Sequence, residues 1–160
     1  MRNVFQFTVN GQPRTVEADE DTPLLAVLRN LLGLRLARFG CGHEQCGACM
    51  VLIDGKSVYS CTRPLATVAG TAVTTVEGLG SSDNPHPLQE ALIAEQAGQC
   101  GYCLSGIMIS AKALLDDNPD PSRAEIVKAL DAHLCRCGTH LRIIRAVERA
   151  AAALREESRA

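Results

Sequence analysis

The chemistry-bearing residues of this chain are its eight cysteines, which fall into two sets of four. Thiols grouped in this way hold iron or zinc once they are deprotonated. The first set is Cys41, Cys46 and Cys49, spaced C-x4-C-x2-C, with Cys61 following after eleven further residues. That opening run is the ligand spacing of a plant-type [2Fe–2S] centre, which a distant fourth cysteine completes. Gly40, Gly42 and Gly47 let the loop wrap tightly and turn backbone N–H groups towards the sulfurs. The second set is Cys100 and Cys103 followed, thirty-one residues later, by Cys135-Arg136-Cys137. By spacing alone this set suits a [2Fe–2S] centre or a structural zinc ion. No cysteine is left over, so the arithmetic favours two complete metal centres over disulfides.

The elements that must position these thiols can be read from pattern. Val4 to Val9 alternates apolar and polar residues, Asn10-Gly11 supplies a turn and Arg14 to Glu17 resumes, as in a β-hairpin. Thr22-Pro23 reads as an N-cap followed by the first helical residue. The helix then runs on the apolar face of Leu24, Leu25, Val27, Leu28, Leu31 and Leu32 and stops at Gly33. Val51 to Asp54 and Ser57 to Ser60 flank a second turn at Asp54-Gly55, so that a strand returns Cys61 to the loop, and Ala72 to Val76 is a further strand. Gly, Ser, Asn, Asp and Pro cluster between Glu77 and Pro87 as in a linker. Beyond it the pattern is helical over Pro87 to Ala97, Gly106 to Asp116, Ser122 to Leu134 and Leu141 to Arg155. Ser122 and Glu125 offer a capping box. Cys100 and Cys103 fall in one turn between helices, and Cys135 and Cys137 in another.

The 160 residues, 46% of them hydrophobic, are enough to bury a core without cross-links. A formal net charge of −2 offers no basic surplus for nucleic acid or an anionic membrane. The opening residues hold no apolar run of signal-peptide length, and no stretch approaches the ~20 apolar residues of a membrane span. A cytoplasmic setting is the expected default, with export or membrane association through a partner as the alternative; in the cytoplasm cysteines serve as metal ligands before disulfides. No phosphate-binding glycine loop is present, and three Phe, two Tyr and no Trp leave little for an aromatic cofactor pocket. Of the histidines, His43 sits within the first loop but has four cysteines around it for ligands. His140 stands beside the second set, either hydrogen-bonding there or as an ordinary surface or packed residue, and the arginines of the last helix suggest a solvated or partner-facing surface. Beside an electron-relay reading stand a free-standing two-cluster ferredoxin and a zinc-stabilised interaction module.

Four segments together resemble a known family. They are Phe39-Gly-Cys-Gly-His-Glu-Gln-Cys-Gly-Ala-Cys-Met-Val-Leu-Ile-Asp-Gly, His86-Pro-Leu-Gln, Gln99-Cys-Gly-Tyr-Cys and Leu134-Cys-Arg-Cys-Gly-Thr. They resemble the small iron–sulfur subunits of the molybdenum hydroxylases, the xanthine dehydrogenase and aldehyde oxidase family. Cys135-Arg-Cys-Gly-Thr-His-Leu-Arg gives the chain the flavour of the nicotinate dehydrogenase and isoquinoline 1-oxidoreductase small subunits. The resemblance implies an α+β chain: a β-grasp plant-type ferredoxin domain over residues 1–77, a linker over 78–85 and an all-α four-helix domain over 86–160. It implies one [2Fe–2S] cluster on Cys41, Cys46, Cys49 and Cys61, and another on Cys100, Cys103, Cys135 and Cys137. It further implies a large partner subunit holding a molybdopterin of the cytosine dinucleotide type, contacted by Gln99 and Cys137. Electrons would pass on to a flavin- or haem-containing acceptor, and the complex would hydroxylate an N-heteroaromatic compound such as nicotinate or oxidise an aldehyde. Three positions depart from the common pattern: Leu104-Ser105-Gly106, Gly138-Thr139-His140, and Glu44 where a small residue is usual.

Overall fold

In the computed structural model, residues 2–159 are described, and they form a mixed β-sheet half followed by a helical half. The hairpin pairs β1 (Arg2–Val9) with β2 (Gln12–Asp19) in antiparallel register, from Arg2 against Asp19 to Val9 against Gln12. Alternation turns Phe7 and Val9 into the core and leaves Gln6 in solvent. Asn10 and Gly11 both take positive φ, 52° and 74°, the mirror-image turn that suits strand twist. A second hairpin joins β3 (Met50–Ile53) to β4 (Lys56–Tyr59). The strand β5 (Ala72–Thr74) closes the sheet between them, parallel to β1 and antiparallel to β3, giving the order β2-β1-β5-β3-β4.

The first helix departs from its sequence pattern. Regular α-helix, α1, covers only Leu24–Ala26, and a π-helical turn over Val27–Leu31 follows it. Pro23, not Thr22, occupies the N-cap position, and no side chain caps the helix. The reason lies elsewhere in the chain: the Leu24 and Leu25 N–H groups donate to the Arg63 and Ser60 carbonyls, at 2.8 and 2.9 Å. These bonds satisfy helix N–H groups that a cap would otherwise serve, and they pin the segment carrying Cys61.

Four helices make up the second half: α2 (Pro87–Ala94), α3 (Leu104–Asp117), α4 (Arg123–Leu130) and α5 (His140–Glu157). His86 caps α2, its Nδ1 accepting from Leu88 N at 3.1 Å while Gln89 returns a bond to the His86 N–H at 2.8 Å. The helix ends earlier than Ala97 because Gln96 turns left-handed, at φ 47°. Its N–H then bonds to the Ile93 carbonyl, and that of Ala97 to the Leu92 carbonyl. The Ser122–Glu125 capping box forms as the sequence signals. Ser122→Ala is expected to cost about 1 kcal/mol, measured as a fall in the urea midpoint with an unchanged slope.

The halves share a patch of core in which Ile109 of α3 packs with Met50, Leu52 and Val76 from the sheet side. Helix α5 buries Ile143, Ala146, Val147, Ala150 and Ala151. Its arginines reach the surface, as their pattern suggests, and several are paired: Arg145 and Arg149 reach Glu95 at 3.4 and 3.6 Å, Arg155 reaches Asp120 at 2.7 Å, and Glu148 of the same helix meets Arg123 of α4 at 2.8 Å. These exposed pairs are each worth less than about 1 kcal/mol, so apolar burial holds the helix and the pairs set its alignment.

Candidate metal centres

The first set of thiols is arranged by the loop between Gly40 and β3. Glu44 and the glycines 42 and 47 all have positive φ, at 58°, 71° and 74°. Left-handed residues within such a loop turn successive N–H groups inward, as in an anion-binding nest. The result is visible at the sulfurs: Cys41 Sγ accepts from the His43 and Gln45 N–H groups at 3.3 and 3.2 Å, and Cys46 Sγ from the Cys41 N–H at 3.4 Å. Glu44, unusual in a left-handed position, is held by the Thr62 hydroxyl, which donates to its carboxylate. Behind the loop Arg29 donates to the carbonyls of Arg35 and Ala37, both at 2.7 Å, and Arg38 N–H donates to Ala48 O at 3.0 Å. Ser60, fully buried, donates to the Cys49 carbonyl at 2.6 Å and so seats Cys61 beside Cys49.

The second set is gathered by two turns at one end of the helices. Cys137 Sγ lies 3.5 Å from Cys100 Sγ, and Cys135 lies beside Cys103 at the start of α3. The hydrogen-bonding neighbour is Thr139, its hydroxyl 3.8 Å from Cys135 Sγ, and His140 is a surface residue, exposed at the start of α5. Arg142 donates to the Gln96 carbonyl at 3.3 Å and ties the two turns together. Gln99 and Cys100 are exposed.

The thiols thus stand in pairs: Cys41 with Cys46, Cys49 with Cys61, Cys100 with Cys137, and Cys103 with Cys135. Paired thiols suit a two-iron centre, in which each iron takes two protein sulfurs, whereas zinc needs all four on one ion. The inward N–H groups fit it too, because they stabilise the added negative charge of reduction. They pull the Cys41 thiol down to about 7, chiefly through His43 and then Gln45, while burial pushes Cys49 up to about 11 and Cys103 up to about 12. Iron must displace protons from these buried thiols. Uptake of iron and sulfide by the apo chain is therefore expected to strengthen as pH rises above neutrality, read from the returning visible absorption. An uptake independent of pH would contradict this.

The sets approach each other closely. One cleft of about 230 Å³ is lined by Cys41 and Cys46 of the first and by Cys100, Cys103 and Cys135 of the second. Leu134 N–H, one residue before Cys135, donates to the carbonyl of Cys46 at 3.1 Å. Helix α4 stops at Leu130, short of its sequence pattern: Asp131 and His133 turn back onto the Lys128 and Leu130 carbonyls, and Leu134 gives its N–H to the first loop and not to a helical carbonyl. Tyr102 adds a hydrogen bond to the Phe39 carbonyl, with Arg38 5.1 Å above its ring. His133 is the buried residue that the sequence did not signal. Only 5% exposed, it lies over Gly47 and bonds through Nε2 to Ser110 Oγ at 2.7 Å, and burial pushes its pKa down to about 4.

Comparison with known proteins places both halves. Residues 7–73 match the family model described as a 2Fe-2S iron-sulfur cluster binding domain, and residues 75–148 match a [2Fe-2S] binding domain. The chain is 56% identical over 151 residues to a nicotinate dehydrogenase subunit of Pseudomonas putida, covering 94% of this chain and 96% of that one. It is 53% identical over 149 residues to the alpha subunit of isoquinoline 1-oxidoreductase from Brevundimonas diminuta, covering 92% and 97%. Among solved structures, the aldehyde oxidoreductase from Desulfovibrio desulfuricans superimposes with a TM-score of 0.93 at 43% identity, over 97% of this chain and 17% of that one. Quinoline 2-oxidoreductase from Pseudomonas putida gives a TM-score of 0.92 at 34% identity, over 97% of both chains.

Proposed function

Because this chain belongs to the small iron–sulfur, electron-transfer subunits of the molybdenum hydroxylases, we propose a two-centre relay within it. Cys41, Cys46, Cys49 and Cys61 hold one [2Fe–2S] cluster, and Cys100, Cys103, Cys135 and Cys137 hold the other. The domains divide near residues 78–85, between the 3-10 turn over Val76–Gly78 and the His86 cap of α2. When bound, each cluster gains and loses a single electron.

The residues of the chain do the rest. The N–H groups of Cys41, His43 and Gln45 favour added negative charge at the first centre, and the Thr139 hydroxyl lies against Cys135 at the second. The hydrogen bond from Leu134 to Cys46 carries the reading, since it joins a residue adjacent to one ligand directly to a ligand of the other set. Around the second set Leu134 and Leu141 are each 65% exposed, beside exposed Gln99 and Cys100. That apolar rim is where a large subunit docks, bringing a molybdopterin of the cytosine dinucleotide type to Gln99 and Cys137. The far centre delivers electrons to a flavin- or haem-containing acceptor. The relatives named for nicotinate and isoquinoline support an N-heteroaromatic substrate, hydroxylated in the large subunit. Among the described residues no helix is long and apolar enough to cross a membrane, and cysteines that serve as cluster ligands suit a reducing cytoplasm.

The test is cofactor analysis of the complex that copurifies with this chain from its host. Molybdenum and cytosine dinucleotide in a larger subunit are expected, with haem or flavin identifying the acceptor. A chain that purifies alone, loaded with iron and exchanging electrons with several unrelated proteins, would favour a free ferredoxin.

A further inference from the structure

A buried chain of polar groups crosses between the two halves and ends on His133. The Ser57 hydroxyl lies 3.5 Å from Met50 Sδ and 3.1 Å from Ser110 Oγ, and Ser110 Oγ lies 2.7 Å from His133 Nε2. The imidazole as its Nε2–H tautomer donates to Ser110 and avoids a buried N–H without a partner. Its Nδ1 is buried without a hydrogen-bond partner and lies where a side chain on Gly47 would stand. A side chain on Gly106 would overlap the Gly47 carbonyl and crowd the ring at Cε1, an atom that Gly47 also faces. The ring thus occupies space that only two glycines leave free, in the plane where α3 meets the first cysteine loop.

We propose that His133 is a positioning residue for electron transfer between the two cysteine sets. Hung from Ser110 and wedged against Gly47, it holds the Cys46–Gly47 backbone in register so that the next residue, Leu134, keeps its N–H on the Cys46 carbonyl. The inference rests on the two-centre reading above. The step it serves moves one electron: the centre on Cys100, Cys103, Cys135 and Cys137 is oxidised by one electron and the centre on Cys41, Cys46, Cys49 and Cys61 is reduced by one. No proton moves and no bond is made or broken. The side-chain hydrogen bond of His133 goes to Ser110 and not to a cysteine sulfur, so its effect falls on the coupling of the centres and not on their individual properties.

His133→Leu keeps bulk but loses the Nε2 bond, and His133→Gln puts an amide N–H at about the reach of Nε2. Both are compared with the unaltered chain in the intact complex, by the magnetic splitting between the reduced centres in electron paramagnetic resonance and by the rate of their equilibration after flash reduction. His133→Leu is expected to weaken the splitting and slow equilibration about tenfold, as loss of an outer support does, with each centre's own g values and potential unchanged. His133→Gln restores most of both. Unchanged splitting and rate in His133→Leu would overturn the proposal, as would altered g values or potential at one centre alone. Should His133→Leu fail to assemble its clusters, Ser110→Ala, which removes the acceptor and spares the ring, must show the same slowing or the proposal falls. If the unaltered chain shows neither splitting nor transfer, it is the relay that fails, and this result is separable from the others.

Discussion

Replacing Cys137 by serine is expected to abolish substrate-driven turnover of the complex while leaving the centre on Cys41, Cys46, Cys49 and Cys61 loaded. Cys137 has its sulfur 3.5 Å from that of Cys100 and belongs to the more accessible pair of the second set. Serine offers a hard oxygen in place of a soft thiolate, and removal of a ligand acts on one centre only, because the sets are built by different elements. The first is held by a β-sheet loop and the second by the ends of four helices. A drop in kcat of about 100-fold or more is expected, at the top of the range found even for outer-sphere partners of metals. Dithionite should still raise the resonance signal of the first centre in full. Retained turnover would mean that electrons reach the acceptor without the second set, and the relay order would be wrong.

Two adjacent residues of α3 should respond in opposite ways to the same substitution. Gly106 faces the Gly47 carbonyl so closely that an added methyl group overlaps backbone atoms, which cannot rotate away. Gly106→Ala gains up to about 1 kcal/mol in helix propensity. It loses more through overpacking, about 3 kcal/mol where the obstacle is rigid, so the steric effect wins. The halves must separate locally, and the bond from Leu134 to Cys46 should lengthen with them. Ser105 is also buried, but its hydroxyl has no partner among the described residues. Ser105→Ala removes an unsatisfied group and improves helix propensity, so stability should hold or rise by up to about 1 kcal/mol. Urea unfolding of the two loaded variants checks both signs. A Gly106→Ala chain as stable as the unaltered one would show that α3 does not press on the first loop.

What the sequence makes legible is local. Eight cysteines in two spacings, two hairpins turned by Asn10-Gly11 and Asp54-Gly55, and the Ser122–Glu125 box each carry their signal within a few residues, and the structure contains them all. What it hides depends on distant partners. Thr22-Pro23 has the form of a helix start, but carbonyls from Ser60 and Arg63 do the capping. The stretch from Ser122 is helical in pattern as far as Leu134, yet Leu134 bonds to Cys46, eighty-eight positions away in the chain by number. Arginines on α5 read as a solvated or partner-facing surface, and Arg145 and Arg149 are exposed; what the sequence does not show is the acid that gathers them, Glu95 at the end of α2. His133 gives no periodic or motif signal at all. The one available hint is Gly106, a residue costly inside a helix, whose presence calls for a close neighbour. Glu44, conspicuous where a small residue is usual, proves to be left-handed and tethered to Thr62.

The central claim is that this chain carries two distinct [2Fe–2S] centres, and the most direct measurement is spin quantitation of the fully reduced chain together with its iron and acid-labile sulfide. The paired thiols predict about four irons and four sulfides per chain. They also predict two resonance signals, one per reduced centre, that together integrate to about two spins. One signal with about half that iron, or a colourless chain containing zinc, would contradict the account.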